Sequence, residues 1–147
     1  MKFLTLFLLY ILFIPVAIAQ NDPLTDVDLS VLRWQNRVLV IFSGDIESAE
    51  YQAQLQLIID HREGITDREL KVISIFEGDN SNIDGTNLSS SSVNLIKNRF
   101  ETKKNTFRFI LIGKDGAVKL DSPETVSMDV LFNRIDQMPM RRREMNQ

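Results

Sequence analysis

Apolar residues in this chain occur either in short unbroken runs or at the spacing of a helix face. The segment Arg37–Phe42 has five apolar residues in succession before a glycine-containing turn, a pattern typical of a buried central strand. A second run, Leu70–Phe76, has the same character. We predict that both runs are strands of one sheet. Because a helix is predicted between them, we expect the two strands to be parallel.

The segment between the two runs, Ile46 to His61, is ambiguous on spacing alone, since its apolar residues also alternate as in a strand. Its length exceeds that of an ordinary strand, and Glu, Gln, Ala and Leu dominate its composition. These properties favour a helix. We predict that Asp45 or Ser48 caps its start and that Glu63 and Gly64 end it.

The middle of the chain, from Glu77 to Ser92, is rich in Gly, Asn, Ser and Asp, which predicts a flexible loop. A short helix is expected after it, with Ser91 or Ser92 as the cap. The apolar face of that helix is predicted to hold three residues at helical spacing: Val93, Ile96 and Phe100.

The residues Gly113, Lys114, Asp115 and Gly116 have the types found in a hairpin turn. They predict that a third strand at Phe107–Ile112 turns back into a partner strand at Ala117–Leu120.

A final helix is predicted to begin at Ser122, Pro123 and Glu124, which are a cap, a first-turn proline and an early acidic residue. We expect it to end by Met138, because Pro139 restricts the residue before it. Its apolar face is predicted to consist of Met128, Leu131, Phe132 and Ile135. The residues that follow are expected to form a basic C-terminus.

This order of elements, β-α-β and then a helix, a β-hairpin and a helix, predicts an α/β fold. We expect a thioredoxin-like three-layer sandwich with a central mixed sheet, formed by residues 29–145. Trp34, the only tryptophan, precedes the first strand, and we expect it to close the edge of the core.

The N-terminus has the pattern of a secretory signal peptide. Lys2 precedes an apolar run from Phe3 to Ile14, and small residues follow at Ala17 and Ala19. We predict a signal peptide at residues 1–19, cleaved after Ala19, and a flexible lead-in at residues 20–28. The alternative is an uncleaved membrane anchor, since Phe3 to Ala19 is just long enough to cross a bilayer. The expected location is the periplasm or the extracellular space.

Composition excludes several classes of function. The chain has 17 Lys and Arg against 20 Asp and Glu, a net charge of −3, which disfavours nucleic-acid binding. It has no cysteine, so thiol oxidoreductase and cysteine-dependent peroxidase chemistry are excluded. With a single histidine, His61, it also has no Cys and His cluster for zinc, copper or iron–sulfur binding. We predict no metal site and no bound cofactor.

Two places in the sequence are candidates for function. Ser43, Gly44 and Asp45 follow the first strand, at the sheet edge where ligands and catalytic groups collect in α/β proteins. Near the C-terminus, Arg141 and Arg142 are expected to be exposed and to bind a carboxylate or phosphate. A solvated basic tail is the alternative interpretation of these arginines.

Three segments resemble domain-of-unknown-function family 4174, a peroxiredoxin-like domain also found in secreted sushi-repeat proteins and in a coiled-coil matrix protein of vertebrates. The resemblance covers nearly all of residues 29–145. The segments are Arg33-Trp34-x-Asn36-Arg37-Val38-Leu39-Val40, Phe109-x-Leu111-Ile112-Gly113-Lys114-Asp115-Gly116-x-x-Lys119 and Ile135-Asp136-x-Met138-Pro139-Met140-Arg141.

The resemblance implies an exported thioredoxin-like fold without an established activity. Catalytic relatives of this fold place a cysteine at the N-terminus of the helix after the first core strand, where the helix dipole stabilises the thiolate. Here that place is taken by Ser43, Gly44 and Asp45. The proline that thioredoxins carry before the third strand is replaced by Thr106-Phe107.

Three hypotheses of function follow. The first is a non-catalytic domain that binds another exported protein. The second is an enzyme in which Ser43, Asp45 and Lys114 converge at the carboxyl edge of the sheet. The third is an accessory protein that docks onto a thiol enzyme of a redox pathway. The oligomeric state is open.

Overall fold

A computed structural model describes residues 24–147 of the protein. The predicted signal peptide, residues 1–19, and the first four residues of the predicted lead-in lie outside the described residues. Within the described range, no helix is long and apolar enough to cross a membrane.

Six strands and six helices make up the described part of the chain. The strands are Arg37–Phe42 (β1), Leu70–Ile75 (β2), Asn82–Ile83 (β3), Thr86–Asn87 (β4), Arg108–Ile112 (β5) and Val118–Ser122 (β6). The helices are Leu29–Leu32 (α1), Ala49–Asp60 (α2), Arg62–Asp67 (α3), Ser90–Phe100 (α4), Met128–Asp136 (α5) and Pro139–Met145 (α6).

The six strands form one sheet in the order β4-β3-β2-β1-β5-β6, with the predicted central strand β1 inside it. The β1 strand is parallel to β2, with Arg37 opposite Leu70, and antiparallel to β5, with Val38 opposite Ile112. All six residues of β1 are buried. The parallel pairing that the helical connection predicted is confirmed.

Helices cover both faces of the sheet. Successive side chains of β1 point to opposite faces, so β1 contributes to a core on each side. Leu39 and Ile41 belong to a core that includes residues of α2 and α5. Val38, Val40 and Phe42 belong to a second core that includes Leu29 of α1 and Ile96 of α4. This arrangement of helices, mixed sheet and helices confirms the predicted three-layer architecture.

The helix α5 begins at Met128, and the prediction that it starts at Ser122 was wrong. Ser122 is the last residue of β6 and lies opposite Phe109 of β5. The cap is Ser127, whose hydroxyl accepts a hydrogen bond from the Val130 backbone N–H at 3.3 Å. Pairing with β5 therefore places Ser122 in a strand, although its residue type and those that follow favour a helix start.

Two short helices replace predicted irregular segments. Glu63 and Gly64 were predicted to end a helix, but they lie inside α3. Pro139 was expected only to stop a helix, but it is the first residue of α6, where proline is favoured because its fixed φ suits the first turn. The predicted basic C-terminus is thus helical.

The predicted loop between residues 77 and 92 contains the small hairpin of β3 and β4. Asp84 and Gly85 both have positive φ, at 48° and 86°, as the turn between two such strands requires. Ser89 caps α4 with a hydrogen bond from the Ser92 backbone N–H at 3.3 Å. The expected cap at Ser91 or Ser92 was therefore displaced by two or three residues.

The last part of the predicted flexible lead-in is tied to the domain. The Thr25 backbone N–H donates to the Asn87 carbonyl oxygen at 2.9 Å, and the Val27 N–H donates to the Ser92 hydroxyl at 2.7 Å. Trp34 has a φ of 68° and is 58% exposed. The prediction that it closes the core was wrong.

Candidate functional site

The carboxyl end of β1 carries the first predicted site, Ser43, Gly44 and Asp45. Ser43 is 4% exposed. Its hydroxyl donates to the Asp45 carbonyl oxygen at 3.0 Å and shares a 2.6 Å hydrogen bond with the Ser48 hydroxyl. The Asp45 carboxylate accepts from the Glu47 backbone N–H at 2.8 Å. These polar groups therefore close the turn that leads into α2.

The N-terminus of α2 is held by Ser48, which accepts a hydrogen bond from the Tyr51 backbone N–H at 3.4 Å. The prediction that Ser43, Gly44 and Asp45 occupy this helix start was therefore wrong, although Ser48 was one of the two predicted caps.

A serine acts as a nucleophile when a neighbouring base takes its proton. Within residues 24–147, the hydrogen bonds of Ser43 and Ser48 join them only to each other and to the main chain. His61, the single histidine, lies at the opposite end of α2. Among the described residues, no side-chain base is hydrogen-bonded to either serine hydroxyl.

Lys114 does not join Ser43 and Asp45, so the hypothesis that these residues converge was wrong. Ile112 lies opposite Val38 at the start of β1, which places the turn Gly113–Gly116 at the amino end of that strand. Since β1 rises by ~3.3 Å per residue, the two ends lie about 16 Å apart. The predicted site residues therefore lie at opposite ends of the β1 strand.

The amino end of β1 holds a group of charged side chains, here called the ion-pair network. It joins the start of β1, the α3–β2 connection, the β5–β6 turn, α5 and α6. Its four cations and four anions are Arg37, Arg68, Lys114, Arg141, Asp67, Glu69, Asp136 and Glu144.

Arg37 is the most buried member of the network, with 1% exposure. One terminal nitrogen, Nη2, donates to both carboxylate oxygens of Glu144 at 3.1 and 3.2 Å. The other, Nη1, donates to the Arg68 carbonyl oxygen at 2.9 Å. The Nε–H is buried and has no hydrogen-bond partner among the described residues. An arginine in this position can still donate one further hydrogen bond.

Lys114 pairs with the carboxylates of Glu69 and Glu144 and is 8% exposed. Burial lowers the pKa of Lys114, but its hydrogen bonds to Glu144 and Glu69 outweigh burial and raise the pKa above its ordinary value. Burial likewise raises the pKa of Glu144, while the hydrogen bond from Lys114 and the charge of Arg37 bring it below its ordinary value. Both groups are therefore held in their charged forms near neutral pH.

Arg141 was predicted to be exposed and to bind an anion, and its predicted exposure was wrong. It is 7% exposed, and it pairs with Asp67 and Asp136. Its Nη1 also donates to the Asp67 carbonyl oxygen at 2.9 Å. The helical turn of α6 carries Arg141 inward and leaves Arg142 exposed. Anion binding by Arg142 stays a prediction.

A pocket of about 270 Å³ opens beside the ion-pair network, between the β5–β6 turn and the connection from α5 to α6. We call it the amino-end pocket. Charged and apolar side chains both line it, among them Arg37, Lys114, Lys119, Arg134, Met138 and Met140.

The turn Gly113–Gly116 shapes one wall of the amino-end pocket. Gly116 has a φ of 81°, and the Gly113 backbone N–H donates to the Ala117 carbonyl oxygen at 2.9 Å. A Cβ at Gly113 would lie 2.6 Å from the Lys119 Cε atom. Glycine there lets Lys119 cross the turn and pair with Asp115 at 2.6 Å. The hydrogen bond from Lys119 lowers the pKa of Asp115 below its ordinary value.

No group of three or more potential metal-ligating His, Cys, Asp or Glu side chains occurs within the described range. The acidic residues at the amino end are instead paired with arginine and lysine.

Residues 28–144 match the family model described as a domain of unknown function, DUF4174. The chain belongs to this family. Coiled-coil domain-containing protein 80 of Danio rerio is 29% identical to this DUF4174 protein over 133 residues. That match covers 80% of this chain and 15% of the fish protein.

The solved structure of a reduced 2-Cys peroxiredoxin from Plasmodium vivax is similar to this DUF4174 protein, with a TM-score of 0.57 at 14% sequence identity. The match covers 81% of this chain and 85% of the peroxiredoxin. At this identity the similarity shows the fold, and the predicted thioredoxin-like fold is confirmed.

The segments that carry the DUF4174 resemblance meet at the amino-end pocket. Each of the three contributes lining residues: Arg37 from the first, Lys114 and Lys119 from the second, Met138 and Met140 from the third. Sequence reasoning placed Arg37 at the start of a buried strand and missed its role at this pocket. A charged residue at the first position of an otherwise apolar buried run is the signal that could have revealed it.

Proposed function

We propose that this DUF4174 protein is an exported binding domain without catalytic activity of its own, and that it binds another exported protein at the amino-end pocket. The chief support is one observation: the three segments of family resemblance surround a pocket that contains Arg37, a buried arginine with a free Nε–H.

The carboxyl end of β1 supports the non-catalytic part of the proposal. Catalytic forms of this fold carry a cysteine at the N-terminus of the helix after the first core strand. In this protein, the residue at the N-terminus of α2 is Ser48, whose hydroxyl caps the helix. A serine hydroxyl stays protonated at neutral pH, so it does not carry out the disulfide exchange of a thiolate. The thioredoxin-like fold is thus present without the group that makes its catalytic forms reactive.

Export is supported by the apolar N-terminal run and the small residues before Ala19. Its test is the intact mass of the protein recovered from the periplasm or the culture medium. Cleavage after Ala19 gives a product that begins at Gln20. A product that keeps residues 1–19 and stays with membranes supports the uncleaved anchor instead.

Site-specific cross-linking tests the binding site. A photoreactive amino acid is introduced at Gln137, which is exposed and lines the amino-end pocket. The matched control is the same amino acid at Glu47, an exposed position at the carboxyl end of β1. We expect a discrete adduct from Gln137 only. The partner is identified by mass spectrometry, purified, and tested for binding to the unmodified protein.

Adducts from Glu47 but not from Gln137 would contradict the proposed location. Turnover of peroxide, of a dithiol or of a hydrolase substrate, abolished by Ser43→Ala or Ser48→Ala, would contradict the non-catalytic assignment and favour an enzyme at the carboxyl end.

A further inference from the structure

We infer that the amino-end pocket binds a carboxylate carried on a small apolar group. This inference rests on the proposed binding function and adds the chemical class of the ligand. It follows from the charge, the free hydrogen-bond donor and the apolar wall of the pocket.

The charges at the pocket leave an excess of one positive charge. The four cations and four anions of the ion-pair network balance, and Lys119 pairs with Asp115. Arg134 also lines the pocket. It is exposed and makes no ion pair or side-chain hydrogen bond with another described residue. A single excess cation of this kind attracts a monovalent anion.

Arg37 supplies a fixed donor on the inner side. Its Nη atoms are engaged by Glu144 and by the Arg68 carbonyl oxygen, which hold the guanidinium plane in place. Its Nε–H is the buried donor without a partner, and leaving such a group unpaired is costly. The Nε atom is closed to solvent in this structure, so an oxygen acceptor bound in the pocket relieves that cost only when the side chains over Nε move aside.

The apolar wall consists of Met138, Pro139 and Met140, at the junction of α5 and α6. Methionine side chains are flexible and adapt to apolar groups of different shape. At about 270 Å³, the pocket lies just below the usual range of roughly 300–1,000 Å³ for small-molecule sites. It therefore suits one acidic group with one side chain of the size of leucine.

A carboxylate fits this site better than a phosphate does. Three carboxylates, those of Asp115, Glu144 and Glu69, lie on or next to the pocket. These carboxylates are already paired with lysines, so one excess positive charge remains; a monoanion balances it, whereas a phosphate dianion leaves one negative charge unpaired. The phosphate group itself makes no apolar contact with the three residues of the wall, Met138, Pro139 and Met140.

A carboxylate next to a small apolar group occurs both in a free organic acid and at the C-terminus of a polypeptide. Four probes distinguish these sources by isothermal titration calorimetry with the whole protein. They are N-acetyl-L-leucine, N-acetyl-L-leucinamide, a pentapeptide ending in leucine with a free carboxylate, and its C-terminal amide. We expect both acids to bind, with a Kd of roughly 0.1–1 mM for the smaller, and both amides to bind at least tenfold more weakly.

Arg134→Gln is the test variant, because Arg134 is exposed and stands outside the ion-pair network. We expect it to weaken binding of the acids about tenfold, as loss of a charge-assisted hydrogen bond does. Arg62→Gln is the matched control. It removes the same charge from an exposed position that does not line the pocket, and we expect less than a twofold change.

The side-chain Nε–H signal of Arg37 gives a second, direct measurement. It is assigned in the ¹H–¹⁵N spectrum by its loss in Arg37→Lys, and the ligand is then titrated into the unsubstituted protein. We expect this signal to shift with N-acetyl-L-leucine at the concentrations that produce heat, and to stay in place with the amide.

Equal binding of acids and amides, or an Arg37 signal that does not move, would overturn the inference. Sulfate that binds as tightly as N-acetyl-L-leucine would overturn it as well, since the apolar wall would then contribute nothing. In each case a partner cross-linked through Gln137 leaves the proposed binding function intact. If only the peptide acid binds, a polypeptide C-terminus is the ligand source and the inference stands.

Discussion

Glu144→Gln tests whether the ion-pair network holds α6 on the domain. The substitution keeps the size of the side chain but removes the charge that faces Arg37 at 3.1 Å. At an effective dielectric constant of about 20, a charge pair at that distance is worth roughly 5 kcal/mol before desolvation. The amide oxygen recovers about 1 kcal/mol as a neutral acceptor, and relief from burying the carboxylate recovers more. We therefore expect the free energy of unfolding to fall by about 3 kcal/mol, as for other buried pairs that lose one partner.

The matched control is Glu69→Gln, which removes a second carboxylate from Lys114. The Glu69 side chain is 52% exposed against 25% for Glu144, so its loss should cost only about 0.2–1 kcal/mol. Urea unfolding at neutral pH, followed by far-ultraviolet circular dichroism, measures both variants. Fluorescence is less suitable because Trp34 is already 58% exposed in the folded protein. Equal losses for the two variants would refute the central role of Glu144.

Three further outcomes are expected from the structure. The folded-state pKa values of Glu144 and Asp136 lie below their ordinary values of 4.5 and 3.8, so their contribution to stability is present above those values and is lost as pH falls through and below them. Urea unfolding between pH 7 and pH 3 should show this loss, and Glu144→Gln should make it shallower. Gln54 is fully buried and bonds both the backbone N–H and the carbonyl oxygen of Val126, so Gln54→Leu should cost about 3 kcal/mol through two unpaired backbone groups; a loss below about 1 kcal/mol in urea unfolding would contradict this. Arg37→Met combined with Glu144→Met should be less destabilising than Glu144→Met alone, because the double variant leaves no unpaired charge at position 37; a double-mutant cycle with additive losses would contradict this.

The four longer strands and the longer helices could be predicted from the sequence because each depends on a local pattern, whereas the two-residue strands β3 and β4 were predicted as a loop. The apolar run of β1, the length and composition of α2 and the residue types of the turn Gly113–Gly116 are all features of short, continuous segments. Burial, helix propensity and turn geometry all act over that range. The parallel pairing of β1 and β2 then followed from the helix predicted between them.

The amino-end site could not be predicted in the same way, because its contacts join distant parts of the chain. Arg37 and Glu144 are 107 residues apart, and Arg141 reaches Asp67 across 74 residues. In the sequence, three consecutive arginines predict an exposed segment, because nothing local indicates that α6 turns Arg141 inward to pair with Asp67 and Asp136. Local types also misled at Ser122, where pairing with β5 prevailed over the signals of a helix start.

The two ends of β1 differ in the polar groups that they carry. At the carboxyl end, the helix N-terminus stabilises negative charge, but the hydroxyl of Ser48 carries none and serves as a cap. At the amino end, an arginine is buried at a cost that an apolar side chain would avoid. The engaged Nη atoms of Arg37 fix the guanidinium plane, and its buried Nε–H has no hydrogen-bond partner among the described residues; this unpaired donor is the reason why we propose a ligand site beside it.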